Sequence, residues 1–428
     1  MSAMKHELAL FHPGATEKAV KEIIWINYRP STQINNSGPL EFVISGTSSD
    51  YVLLSKTRLH VKVKIKKADG DDVTDADNVA LVNLSLHSLF RQVDISLNQT
   101  IITSTVGVNY PYKALIDCLL SYNNTEAVSQ LQLEGFYKDV RYYMDDVTLN
   151  SGHVQRKSLT MHGIVDFEGP LHIDVAQQPK LIPNGVEIAV KLFQSGDAFR
   201  LLSAGGTTYS VEIVDAILKV CHVKVRPSVL LAQNQILLKT PALYPFWKSD
   251  IKTYTIAEGF DTFSIDDMYH GQVPARLYVG LTSNAAYSGD FAKNPFNFWH
   301  YFLTRLEFTI EGVSRPTVAF TPTFRNISET STEVVPSGYM PEYLSLFQNR
   351  YPQQQGKFIE RADYPGGYAL YCFDLKSGTG GQLFSTSETG HTRLTAAFGQ
   401  PLPHPVTLIA YAVYPSMFKI DHSRNVLI

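Results

Sequence analysis

The sequence has little of what most function classes require. Only three of its 428 residues are cysteine, and Cys118, Cys221 and Cys372 lie far from one another. Such spacing matches neither a disulfide framework nor a CxxC metal site, and it fits a reducing compartment. Charged residues make up only 18%, and 37 basic against 40 acidic side chains leave a net charge of −3. The chain as a whole therefore has no electrostatic attraction for nucleic acid or an anionic membrane. No run of about 18 consecutive apolar residues occurs, so no membrane-spanning helix is predicted. The amino terminus, MSAMKHELALFHPGATEKAVKEI, has no apolar core of signal-peptide length. The expectation is a soluble chain outside the usual secretory route. Catalytic signatures are also missing: there is no GxSxG, no HExxH and no cysteine in a nucleophile signature.

Apolar and aromatic residues, in contrast, are plentiful. Hydrophobic residues reach 44%, with 23 Tyr and 23 Phe against 3 Trp and 7 Met, a balance that suits a β-rich fold with aromatic cores. A chain of this length exceeds what one core usually organises, so two domains are expected. Alternation of period two is clearest at 58–66, RLHVKVKIK, where Leu59, Val61, Val63 and Ile65 share one face and Arg58, His60, Lys62, Lys64 and Lys66 the other. Further strands are predicted at 41–45, 93–97, 101–104, 186–193 and 209–225, the last with a bulge near Cys221 where its apolar phase shifts. A second series follows at 254–259, 275–283, 303–312, 368–375, 392–399 and 406–415. Helical spacing appears only at 111–122, 126–133 and 341–347, two of them opening on proline. The pattern predicts an all-β chain of two tandem sandwiches joined near 224–240, with short helices in loop insertions and interaction surfaces on the long loops 140–180 and 313–360.

Several clusters invite a chemical reading. Asp145-Asp146 and Asp266-Asp267 could do acid–base work, but neighbours in a strand point to opposite faces, so turn and cap roles are favoured. Asp69, Asp71, Asp72, Asp75 and Asp77 supply oxygens of the kind calcium takes, yet lack the twelve-position loop spacing, and a solvated hairpin tip is the simpler reading. The thirteen histidines are scattered without zinc-site spacing. SGTGG at 377–381 lacks the Lys and Ser or Thr of a phosphate loop. The basic row Arg58, Lys62, Lys64 and Lys66 could face nucleic acid, although lysines on a sheet face also keep sandwiches soluble. Glycosylation sequons start at Asn83, Asn98, Asn123 and Asn326 and are read as chance occurrences. No catalytic, cofactor-binding or metal-binding residue is assigned, and the chain is read as an architectural protein, not an enzyme.

Longer segments carry a resemblance. GPLEFVISGTSSDYVLLSKTRLHVKVKI (38–65), LHSLFRQVDISLNQTII (86–102), NYPYKALIDCLLSY (109–122), GQVPARLYVGL (271–281), KNPFNFWHY (293–301), GYALYCFDL (367–375) and YAVYPSMFKIDHSRNVLI (411–428) follow one another in an order similar to the major capsid proteins of Polinton (Maverick) elements and adintoviruses, which are hexon-like. Segments 313–360 and 376–391 follow that pattern only loosely. The resemblance implies two eight-stranded jelly rolls: an N-terminal arm at 1–20, a first jelly roll at 21–226 and a second at 227–428 with the C-terminal tail. It also implies homotrimeric, pseudo-hexagonal capsomers that self-assemble into an icosahedral shell around double-stranded DNA. Implied partners are other copies of the chain, penton and minor capsid proteins, and packaged DNA in non-specific contact, with no membrane. The location implied is the virion capsid, after synthesis in the host cytoplasm. The alternative from the residues alone is a carbohydrate-binding or glycan-processing protein of two β-sandwiches.

Overall fold

The computed structural model describes residues 19–35, 38–46, 49–103, 109–161, 163–204, 207–269, 271–324, 338–348, 359–375 and 388–428. The arm at 1–20 (apart from its last two residues), the SGTGG run, the Asn326 sequon and much of the long loops at 313–360 and 376–391 lie outside them.

The alternating segment at 58–66 lies within β3 (Tyr51–Lys67), and its Leu59, Val61, Val63 and Ile65 are buried as the pattern requires. In the first half of the chain, β1 (Val20–Tyr28), β10 (Tyr209–Val225), β3 and β7 (Val165–Pro170) form one sheet in that order. The facing sheet is β2 (Leu40–Ile44), β8 (Ile188–Gln194), β5 (Phe90–Leu97) and β6 (Thr100–Ile101), with a small separate ladder of β4 (Val79–Leu81) and β9 (Leu201–Ser203). In the second half, β11 (Ala242–Ile256), β18 (Val406–Ile420), β13 (Arg276–Ser283) and β16 (Leu370–Asp374) pair in order, and β19 (Val426–Leu427) adds to β18. Opposite them run β12 (Thr262–Asp266), β17 (Thr392–Phe398), β14 (Leu303–Ile310) and β15 (Val313–Ser314). If the eight main strands of each half are counted along the chain, both halves read 1-8-3-6 in one sheet and 2-7-4-5 in the other. That order is a jelly roll, repeated in tandem.

Helices fill the connections: α1 (Ser85–Ser88), α2 (Tyr110–Ser121), α3 (Asn124–Ala127), α4 (Ser151–Thr160), α5 (Asp197–Arg200), α6 (Pro227–Leu237), α7 (Asn284–Ser288) and α8 (Met340–Gln348). The join expected at 224–240 holds α6, which opens on Pro227 after the extended Arg226. The helix expected at 126–133 differs. A capping box of Asn123 and Glu126 starts α3 early, and the Ser129 hydroxyl then bonds back to Thr125 C=O, after which the chain continues as a 3-10 turn, Gln130–Glu134. The bulge expected near Cys221 is present, as a break in register between Lys219 and Cys221 against β3.

Each sandwich completes its core with residues from the other half. Tyr112, Leu115, Ile116 and Leu119 of α2 join the core built on β13, β14, β16 and β18. In return Tyr244 and Phe246 of β11, Phe418 and Ile420 of β18, and Val426 of β19 enter the core of the first sandwich. Tyr244 stacks on Phe418 with ring centroids 4.6 Å apart. Strand β11 therefore begins twelve residues before the predicted 254, because its first turn of alternation serves the neighbouring sandwich. Pro245 is tolerated because β11 is an edge strand.

Candidate functional site

Strand β1 is the outer edge of its sheet and leaves Ile23, Trp25 and Ile26 exposed, Trp25 at 49%. Beside it, α6 fixes its inner side through Leu230, packed near Tyr51, Cys221 and Val223, and through Gln233, which accepts the Tyr51 hydroxyl at 2.7 Å. Its outer side presents Leu231, Ile236 and Leu238, the last 72% exposed. Monomers usually blunt such edges with charge or proline, which β1 does not do at Ile23, Trp25 and Ile26.

The residues singled out in the sequence take structural roles. Asp72 pairs with Lys64 (2.8 Å) and Lys66 (3.7 Å), while Asp77 takes the Thr74 N–H and pairs with Lys67 at 3.0 Å. Asp69 accepts the Asp71 N–H. The acidic tip thus folds back onto the basic row. That row is further offset by Glu212 and Asp215 of β10, opposite Lys64 and Lys62, and by Asp166 and Glu168 of β7. Arg58, at the other end of the row, stands opposite Lys219 and Pro170 instead. Asp146 closes a turn by accepting the Thr148 and Leu149 N–H groups, and Asp266 pairs with Arg393. Of the sequons, Asn83 is buried and accepts the Tyr137 N–H, Asn98 bonds Arg424 C=O, and Asn123 caps α3. Cys118, Cys221 and Cys372 are buried and in no disulfide. Among the described residues no helix is long and apolar enough to cross a membrane.

Two buried polar networks tie the inserts to both sandwiches. Arg156 of α4 donates to Leu81 C=O (2.8 Å), Tyr137 C=O (2.7 Å) and Asp139 (2.7 Å), and Asp139 also accepts from Asn150 and, across the halves, Asn294. The second network was not foreseen, because its members lie in separate inserts. His87 of α1 places Nε2 2.9 Å from Glu134 Oε2 and Nδ1 2.8 Å from the Tyr110 hydroxyl. His172, just after β7, has Nε2 3.9 Å from Glu134 Oε2 and 3.5 Å from Cys118 Sγ, and Nδ1 3.7 Å from Asp117. Lys113 sits between Asp117 (2.9 Å) and Asp174 (3.0 Å). The second sandwich closes the network with the Tyr411 hydroxyl on Asp117 and Ser249 on Asp174. Burial pushes the Glu134 carboxyl up, but bonds from His172 and His87 outweigh it and bring it down to about 2. Burial holds His87 below its usual range, whereas on His172 burial is outweighed by Cys118, Asp117 and Glu134, which raise it.

A cleft of about 580 Å³ opens between the 142–149 loop and the β13–β14 connection, lined by Tyr142, Trp299, Tyr301, Asp145, Lys293 and Asn294. Asp145 accepts the Asn294 N–H at 2.8 Å and is raised by burial. Asp145 and Asp146 both line the cleft, but Asp146 is engaged by the Thr148 and Leu149 N–H groups of its own turn and does not form with Asp145 the facing pair a glycosidase uses.

No family model matches the sequence. An uncharacterized protein of Caenorhabditis elegans is 21% identical over 433 residues, covering 97% of this chain and 99% of its own. Among solved structures, a chain of the Sputnik virophage is similar over 100% of this chain and 92% of its own, with a TM-score of 0.62 and 13% identity. A chain of the PBCV-1 virus capsid gives 0.61 at 9% identity over 98% and 99%. The mavirus major capsid protein gives 0.55 at 11% identity over 100% and 95%. The chain has the double jelly-roll fold of these viral capsid proteins. In double jelly-roll terms, α6 joins the two rolls in sequence, and the buried histidine network takes groups from both.

Proposed function

We propose that this chain is a major capsid protein that forms homotrimeric, pseudo-hexagonal capsomers and assembles from them into an icosahedral shell around double-stranded DNA, without an enzymatic role. The observation that carries this reading is the repeated 1-8-3-6 and 2-7-4-5 strand order, matched across the full chain by capsid proteins. Two similar rolls per chain give three chains a near-hexagonal outline while keeping simple cyclic closure. The units are the arm at 1–20 and the rolls at 21–226 and 227–428, exchanged core residues notwithstanding. The exposed band of Ile23, Trp25, Leu231, Ile236 and Leu238 supplies chain-to-chain contact. Origin in a Polinton or adintovirus-like element, contact with penton and minor proteins, and residence in the virion belong to the same reading.

Sedimentation of the purified chain tests it. Trimers are expected, with hexagonal outlines and shells in electron micrographs, and Trp25→Asp with Leu238→Asp should weaken trimers at unchanged secondary structure. A chain that stays monomeric at high concentration and forms no particles would sink the reading. The aromatic cleft at Trp299 favours a second reading, carbohydrate binding, which a glycan array without any binder would dismiss.

A further inference from the structure

We propose that His87, Glu134 and His172 bind one divalent transition-metal ion of the zinc class. Their donor atoms, two imidazole nitrogens and a carboxylate oxygen, all lie within 4.8 Å of one another and are buried. The separations of 2.9 Å (His87 Nε2 to Glu134 Oε2) and 3.9 Å (His172 Nε2 to Glu134 Oε2) straddle the edge, roughly 3.3 Å, of a tetrahedron with bonds of about 2.0–2.1 Å. Small side-chain shifts would therefore bring three ligands onto one ion. Cys118 Sγ lies 3.5 Å from His172 Nε2 but outside the set of donors within 4.8 Å of one another, so it would reach the fourth position only with a further side-chain shift.

The surroundings are those of a ligand set more than of three polar groups that happen to meet. Both histidines turn Nε2 toward the same carboxylate oxygen; His87 engages the Tyr110 hydroxyl through its other nitrogen at 2.8 Å, while Nδ1 of His172 faces Asp117 at 3.7 Å, in ion-pair range but beyond hydrogen-bond reach. An outer bond such as that of His87 fixes the ring orientation of a metal-binding histidine. Backbone makes room for the carboxylate. A Cβ on Gly169 would collide with the Glu134 side chain, and one on Gly135 would meet Ser85 in the turn before His87. A small cavity of about 70 Å³, lined by Tyr110, Lys113 and His172 on one side and Ser249 and Ile251 on the other, gives the centre a neighbouring space between the rolls. An ion there would tie α1, the Gln130–Glu134 turn and the segment after β7 together, holding the insert that plugs the second sandwich.

The test uses the full chain, purified without chelator and by a route that exposes it to no metal resin. Metal content should be close to one zinc per chain, and removal with a chelator should lower the melting temperature by several degrees, restored by zinc alone. Replacement with cobalt should give visible d–d absorption, and a near-ultraviolet charge-transfer band that Cys118→Ser removes if the thiol takes the fourth position. Glu134→Gln and His172→Gln should cut binding at least tenfold at unchanged secondary structure. If those variants fail to fold, the cobalt spectrum of the native chain decides. Less than a tenth of an ion per chain, both as purified and after equilibration with zinc, overturns the proposal, as does undiminished binding by either folded variant.

Discussion

Replacing Phe418 by alanine should unfold both jelly rolls earlier, and by the same amount. Phe418 is fully buried, stacks on Tyr244 and meets Phe246 edge-on at 5.8 Å, all inside the first sandwich's core although all three residues belong to second-half strands. Truncating a buried Phe costs about 3–5 kcal/mol through lost transfer energy and the cavity left behind. With an unfolding entropy of about 2.1 cal/mol/K per residue, 428 residues convert about 4 kcal/mol into a fall of roughly 4–5 °C in melting temperature. Fluorescence can follow the halves separately, since Trp25 lies in β1 and Trp299 in the second half. Tryptophan-to-phenylalanine backgrounds retaining one reporter at a time should show Trp25 and Trp299 midpoints moving together in denaturant, compared at one protein concentration because association shifts apparent stability. Val318→Ala, at an exposed site, should leave both in place. Movement of one reporter alone, or a shift below about 1 kcal/mol, would refute the claim that the rolls share their cores.

Acid should destabilise the chain before its carboxylates titrate. Burial brings His300 down to about 3, and burial with Arg156 nearby brings His153 to about 4. The unfolded chain takes up protons near pH 6.5 that the folded chain refuses, so stability is full above about pH 6.5 and falls toward pH 3–4, by about 2 kcal/mol per histidine at pH 5. Urea midpoints at pH 7 and pH 5 check this, and His300→Gln should flatten the slope. Gly367→Ala should cost roughly 2–4 kcal/mol, because Gly367 has φ of 118° and a Cβ would strike the Met144 sulfur. Gly70→Ala, also at positive φ but in open space, should cost about 1 kcal/mol, the comparison being made by thermal melts. Asp139→Ala should cost about 3–5 kcal/mol by leaving buried Arg156 without its carboxylate, and adding Arg156→Met should recover much of that in a double-mutant cycle.

Alternation made most of the strands legible, because β3, β8, β10 and β17 each bury one face and leave the other to solvent. Strand β1 escaped that reading: VKEIIWINY does not alternate, and as an edge strand it is exposed on both faces. The first part of β11 escaped it too, since its apolar residues answer to the core of the other roll. Helix α4 has a polar composition and takes its place through Arg156, a side chain sequence periodicity would put in water. The histidine centre was illegible for a different reason. His87, Glu134 and His172 come from three connections between strands, and only the jelly-roll crossing of those connections brings them together. Asp146 and the acidic loop were legible as turn chemistry, since Asp side chains satisfy nearby N–H groups wherever the chain reverses, whereas Asp266 ends β12 and pairs with Arg393 and Asp145 accepts the distant Asn294 N–H.

The exchange of core residues sets a schedule for synthesis. A ribosome makes the chain from residue 1 onward at about 5–20 residues per second, so the strands of the first roll are all available once Val225 has emerged. Their core nevertheless lacks Tyr244, Phe246, Phe418, Ile420 and Val426, which come about 20 to 200 residues later in the chain. The first roll must therefore wait with part of its apolar interior open until those residues of the second half have been made. A first roll with a complete core is available only after the last strands of the second roll have been made.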